Sequence, residues 1–262
     1  VPEGDTVYLT ARRLDEALSG TVLTWAELRW PNLDPTALSG ATVLRSRAYG
    51  KHVLTTVDTG WTLHTHLRMD GTWRVHRTDP AARLARSPTV RAVLANETWT
   101  CVGDRLGMLD LVRTRDEHTL LDHLGPDILA PDFASSPDGL TAVIRSYQEQ
   151  GARPVGDCLL DQTLMVGVGT LFAAEGLFDQ KIWPWTPAAE VDLRPLLGSI
   201  RRNLGRGIAR PVDGRIVHVH SRSGSPCHRC GTTIVRGLAG VAPMERPMFY
   251  CPTCQPPPPG RA

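Results

Sequence analysis

Two cysteine pairs carry the plainest chemistry in the sequence. "CHRC" places Cys227 and Cys230, and "CPTC" places Cys251 and Cys254, with twenty residues between the pairs. Four thiolates from two such knuckles suit a tetrahedral zinc ion, at the spacing of a ribbon-type structural site. Disulfides are the competing reading, disfavoured because no basic stretch followed by an apolar one marks a secretory signal. A closed four-thiolate set leaves the metal no open position, so the expectation is one structural Zn2+. Arg236 and Arg246 lie between the pairs and Arg222 just before them. Three guanidinium groups around one rigid hairpin suit contact with an anion.

Further candidates lie earlier in the chain. In "VPEGDT", removal of Val1 would leave Pro2 with a free secondary amine, with Glu3 beside it. The alternative is an extended lead-in to the first helix. Lys51, in "YGKHVL", is one of only two lysines in the chain, the other being Lys181. An ammonium at a hairpin tip can approach a single phosphate or give up its proton, and a solvated turn lysine is the plainer alternative. "HTHLRMDG" alternates His64 and His66 on one strand face, as a metal pair or as packed, hydrogen-bonded rings. Arg68 and Met69 follow on a turn, from which a long side chain could fill a gap in a base stack or pack into a core. "LLDQTLMVGVGTLFAAEGLF" reads as a helix ending near Met165, a glycine-bearing turn and a second helix opening at Thr170. Exposed N–H groups there form a ready phosphate site, although such turns are common in structural hairpins. Cys101 and Cys158 read as buried thiols.

The elements that must position these groups fall into three textures. Residues 6–18 place Val7, Ala11, Leu14 and Leu18 at helical spacing, with Asp5 or Thr6 as N-cap. Residues 21–113 are short β-prone runs divided by turns, which implies a sandwich or barrel-like domain. Residues 116–210 read as helices, and beyond residue 212 come short strands, the cysteine pairs and a proline-rich tail. The expectation is an α+β, multidomain protein. It assigns 1–115 to an N-terminal β-sandwich domain, 116–224 to a helical domain, 225–255 to a zinc-finger β-hairpin and 256–262 to a disordered tail.

Charge is uneven along the 262 residues. Residues 200–262 hold ten arginines and no lysine against Asp213 and Glu245, a net +8 that leaves −6 for residues 1–199 of the overall +2. One end is thus suited to a polyanion, with a solvated basic face as the alternative. No apolar run of about 18 residues points to a membrane span. The expectation is a soluble, cytoplasmic protein without membrane contact.

Set in order, "PEGDT", "YGKH", "HLRMDG", "HLGPDIL", "LLDQ…VGVGTLFAAEGLF" and "RPMFYCPTCQ" resemble the formamidopyrimidine-DNA glycosylase and endonuclease VIII family, from Pro2 to Gln255. The resemblance implies an N-terminal sandwich, a helix-two-turn-helix domain and a zinc finger, with damaged DNA held between them. It implies a bifunctional enzyme of base excision repair, active as a monomer, that removes an oxidised base and then cuts the strand by lyase chemistry. It makes Pro2 the nucleophile, Glu3 the general acid, and Lys51 and Arg246 phosphate clamps that assist elimination. Arg68, Met69, Arg105, Thr170 and Arg222 become DNA contacts.

The chain departs from the family in three places. Thr170 stands where many members have Asn, keeping a hydroxyl but fewer donors. "CVGDRLGMLDL" lacks the common Asp-x-Arg-x-Phe-Gly form, so Arg105 is only a loose match. "PEGDT" resembles the endonuclease VIII branch rather than the "PELPE" start of the 8-oxoguanine branch, which favours oxidised pyrimidines as substrates. Two other classes compete with this reading: a catalytically silent damaged-DNA-binding protein of the same fold, and a zinc hydrolase. Because Val1 would acylate Pro2, the reading further expects residue 1 to be a non-AUG start, read as methionine and removed in the cell.

Overall fold

In the computed structural model the described residues are 2–79 and 87–260; Val1, residues 80–86 and the tail's last two residues lie outside them. The chain divides into two units, residues 1–123 and 124–262.

The first unit begins with helix α1, Gly4–Leu18, whose Val7, Ala11, Leu14 and Leu18 are all buried, as their spacing requires. Eight strands follow among the described residues: β1 (Trp25–Leu28), β2 (Val43–Tyr49), β3 (His52–Val57), β4 (Trp61–His66), β5 (Thr72–Arg77), β6 (Val90–Ala95), β7 (Trp99–Asp104) and β8 (Met108–Arg113). They form two four-stranded antiparallel sheets, in the orders β1-β6-β7-β5 and β2-β3-β4-β8. One core joins α1 to both sheets: Leu14 and Leu18 meet Val43, Val53 and Leu63 of one and Trp73, Leu94 and Cys101 of the other. This is the β-sandwich the strand texture predicts, and its helix belongs to the core.

The second unit holds α2 (Ala142–Gln148), α3 (Val155–Leu160), α4 (Thr170–Asp179), α5 (Leu193–Ala209) and the hairpin of β9 (Val235–Ala239) and β10 (Arg246–Tyr250). Phe172, Ala173, Leu177 and Phe178 of α4 pack with Leu196, Leu197, Ile200 and Leu204 of α5. Gly176 permits this approach, since a Cβ there would stand 2.3 Å from Ile200 Cγ1. The same core includes Ile234, Met248, Cys227 and Cys251, so the hairpin and its cysteines are seated on the helices. Trp185 locks the seat: its indole N–H donates to the Leu238 carbonyl at 2.9 Å, and its ring lies where a Gly237 Cβ would be.

Two boundaries differ from expectation: α1 has Glu3 as its N-cap, not Asp5 or Thr6, because the extended backbone of Glu3 already offers its carbonyl to the Val7 N–H, and a later helix ends early. The helix expected to end near Met165 ends at Leu160, because Asp161 turns to extended backbone and accepts from the Thr163 N–H at 3.0 Å. A turn over residues 162–164 and a bend at Gly167 then lead to α4, which opens at Thr170 as expected. No helix among the described residues is long and apolar enough to cross a membrane.

Candidate active site and metal centre

Glu3 is the N-cap residue of α1, with extended backbone, and its carbonyl accepts from the Val7 N–H at 3.0 Å. Its side chain does not cap the helix, yet the residue is only 2% exposed. A carboxyl group is therefore enclosed at the positive end of a helix, one residue from half-buried Pro2. Helix α1 lies against β2 and β3, and these strands meet in a two-residue turn, Gly50 and Lys51, closed by the Tyr49–His52 pair. Gly50 takes the left-handed backbone (φ 55°) that such a tight turn favours. Lys51 thus stands at a hairpin tip, as its sequence context predicts.

Arg68, Met69 and Arg105 come together on two adjacent loops. Arg68 and Arg105 both have positive φ, 51° and 50°, which is unusual for arginine. Gly71 and Gly107 explain the packing: a Cβ on Gly71 would meet the Arg105 carbonyl at 3.0 Å, and one on Gly107 would strike the Arg68 stem at 2.4 Å. Met69 is left 62% exposed, so the loop displays an apolar side chain rather than burying it. His64 and His66, open between metal pair and packed rings, resolve as hydrogen-bonded rings. His64 bonds His52 and Asp110, while His66 Nδ1 accepts from the Arg68 N–H at 2.9 Å.

In the second unit Gln162 organises the glycine turn, donating to the Val168 carbonyl at 3.0 Å and accepting from the Gly167 N–H at 3.2 Å. Thr170 is the first residue of α4, where N–H groups lack helical partners. Arg222 spends its guanidinium on the backbone, donating to the carbonyls of His218 at 2.9 Å and Pro226 at 3.3 Å. Arg246 opens β10, exposed and paired with Ala239. It lines a cleft of about 280 Å³ with Arg153, Asp157, Asp161 and Met244.

The four cysteines converge, all Sγ atoms lying within 4.8 Å of one another. The contacts are 3.9 Å for Cys227–Cys254, 3.4 Å for Cys230–Cys251 and 3.5 Å for Cys230–Cys254. A tetrahedron with zinc–sulfur bonds of about 2.3 Å has edges of about 3.8 Å, so the set fits a four-coordinate ion. Thr232 hydrogen bonds bring the Cys230 thiol down to about 6, whereas burial and the neighbouring thiols raise Cys251 and push Cys254 up to about 12. Support comes from Gln255, fully buried, which accepts from the Cys251 N–H and donates to the Ile182 carbonyl. Cys101 and Cys158 are fully buried core thiols, and burial raises them to about 12 and about 11.

Sequence reasoning missed Glu175. This buried carboxylate accepts three N–H groups, from His218, Val219 and His220, at 2.8–2.9 Å, and so fixes the segment that leads into the cysteine knuckle. Only its place inside an apolar helix hinted at a role. Asp110 and His52 were missed for a plainer reason: they meet His64 across three strands.

Residues 1–109 match the family profile described as formamidopyrimidine-DNA glycosylase N-terminal domain. The chain is 38% identical to a probable endonuclease 8 2 of Streptomyces coelicolor, over 97% of this chain and 94% of that protein. It is 33% identical to the DNA-(apurinic or apyrimidinic site) lyase Nei2 of Mycolicibacterium smegmatis, over 97% and 99%. Among solved structures, MutM (Fpg) of Thermus thermophilus is 30% identical with a TM-score of 0.75, covering 97% of this chain and 98% of that one. The Lactococcus lactis glycosylase, solved with DNA containing an AP site, shares the fold with a TM-score of 0.80 at 22% identity, over 98% and 100%. The protein belongs to the formamidopyrimidine-DNA glycosylase and endonuclease VIII family.

Proposed function

We infer that the protein is a bifunctional DNA glycosylase and AP lyase of base excision repair, acting on damaged DNA without a diffusible cofactor. The observation that carries this is the end-to-end likeness to endonuclease 8 and AP-lyase relatives, in a chain that has Pro2, Glu3 and Lys51 in the sandwich and four converging cysteines in the finger.

The chemistry follows from the residue types. The damaged nucleotide leaves the duplex at a cost of about a few kcal/mol, less where the lesion has already weakened pairing. The Pro2 nitrogen attacks C1′, a nitrogen–carbon bond forms, and the base departs with the glycosidic electron pair and a proton. Glu3 protonates the ring oxygen as the sugar opens, giving an iminium. Because proline is a secondary amine, this adduct stays cationic and draws electrons when the C2′ proton is removed and the 3′-phosphate leaves. A second elimination expels the 5′-phosphate, and water then frees Pro2. Lys51 and Arg246 hold the flanking phosphates and assist elimination. Arg68 and Met69 occupy the vacated stack, Arg105 lies beside them, and Thr170 contacts phosphate. Arg222 acts on DNA through the backbone it braces.

The four cysteines hold one zinc ion, which keeps the hairpin folded and Arg246 in place. Oxidised pyrimidines are the favoured substrates, on the strength of the "PEGDT" opening and the endonuclease 8 relatives. The protein works as a cytoplasmic monomer on the nucleoid. Release of free thymine glycol from an oligonucleotide duplex, with strand cleavage at the same site, tests this reading. DNA binding without base release in any lesion context would favour the silent binding protein instead.

A further inference from the structure

Asp110, His64 and His52 form a continuous chain across β8, β4 and β3, and nothing in the reaction above uses it. Asp110 Oδ2 lies 2.9 Å from His64 Nδ1, and His64 Nε2 lies 2.7 Å from His52 Nδ1. The two rings stack with centroids 5.0 Å apart and planes 17° apart, and the His66 ring meets His52 edge-on at 4.9 Å. The register explains the meeting: His64 is paired with Asp110 on one side, and His52 with His66 on the other.

The chain determines its own proton positions. An ionised carboxylate only accepts, so His64 Nδ1 carries the hydrogen. Burial holds His64 below its ordinary range and His52 down at about 3, so both rings are neutral. The groups facing them agree: Lys51, His66 and His123 disfavour a charge on His52, while Asp110 and Glu117 only partly offset burial at His64. A neutral His64 with its hydrogen on Nδ1 accepts at Nε2. His52 must therefore donate from Nδ1 and keep a lone pair on Nε2. This is the tautomer that free histidine disfavours, and it is imposed here from Asp110 two strands away.

His52 is the first residue of β3 and directly follows Lys51. We propose that Asp110 and His64 act through His52 as a positioning relay for Lys51. The relay fixes a neutral ring at the base of the Gly50–Lys51 turn and so aims the ammonium at the phosphate beside the reacting sugar. A charged His52 would repel that ammonium, and a loose one would let the turn wander. Displacement of a catalytic group by about 1 Å costs on the order of 100-fold. The proposal rests on the lyase reading above and adds three positioning residues to it.

The test compares Asp110→Ala with Asp110→Asn on duplex DNA carrying an abasic site. Asp110 has a side chain 40% exposed, so both variants are expected to fold. Asp110→Ala should slow single-turnover elimination on the order of 10- to 100-fold with unchanged KM and undiminished borohydride trapping. Asp110→Asn, which can still accept from His64, should restore most of the rate. In the unmodified protein, long-range proton–nitrogen spectra should place the His64 and His52 hydrogens on Nδ1, and Asp110→Ala should shift them. Trapping with an elimination rate unaffected by Asp110→Ala, or Nε2–H tautomers in the unmodified protein, overturns the relay alone. Absence of trapping by the unmodified protein overturns the lyase reading, and the relay with it.

Discussion

His52, His64 and His66 sit where protonation is disfavoured, and this makes the first unit sensitive to acid. Burial lowers all three from 6.5, His52 to about 3 and His66 to about 4, with Lys51 and Arg68 adding repulsion. The unfolded chain therefore binds more protons than the folded one below about pH 6.5. Their contribution to stability is complete above that pH and is lost as pH falls toward 4 and then 3. The expected result is a melting temperature of the first unit that declines steadily from pH 7 to pH 4; a flat profile would contradict the burial of these rings. Glu175 gives a second prediction. Glu175→Ala would strand three N–H groups of residues 218–220 and destabilise the second unit by about 2 kcal/mol or more, measured by urea unfolding. At this scale the sequence showed local motifs clearly. The cysteine pairs and Lys51 on its turn were legible from neighbours, whereas Met69 stood open between display and core packing, and the structure leaves it exposed. The histidine chain and the Glu175 clasp were not, since His64 meets Asp110 across 46 positions and Glu175 reaches residues 43 to 45 positions away.

The hairpin of β9 and β10 and its cysteine knuckles stand or fall as one element. Two strands of five residues each are too short to be stable alone. Trp185, Gln255 and the four converging cysteines supply what the pair lacks. Gly237→Val would drive a side chain into the Trp185 ring, which already lies 2.4 Å from a Cβ at that position. The expected outcome is an unseated hairpin, read as faster amide exchange at Val235–Ala239 while the sandwich stays protected. Strong chelation should do the same and release one zinc per chain, and base excision should fall with it; zinc loss that leaves hairpin exchange unchanged would contradict a structural role. Element types were legible because period-2 and period-3.6 patterns were clean. The end of α3 was misplaced because Leu164 and Met165 continue an apolar pattern, while Asp161 ends the helix by a side-chain hydrogen bond that competes with the ladder.

Across the whole molecule, the charge asymmetry sets the partner. Ten arginines in residues 200–262 against −6 in the rest predict binding to DNA that weakens steeply with salt, while a non-ionic substrate mimic would show no such slope. The sandwich, the helical unit and the finger were legible as textures, and the family likeness supplies the activity that textures alone do not. What joins them is the claim that the Pro2 nitrogen is the nucleophile. The most direct measurement is borohydride reduction of the protein, prepared with Pro2 as its first residue, on duplex DNA carrying an abasic site. The account predicts a covalent protein–DNA band whose proteolytic fragment bears the sugar on Pro2, and no band when one extra residue precedes the proline and turns its nitrogen into an amide. A band that survives that extension, or an adduct that maps to Lys51, would contradict it.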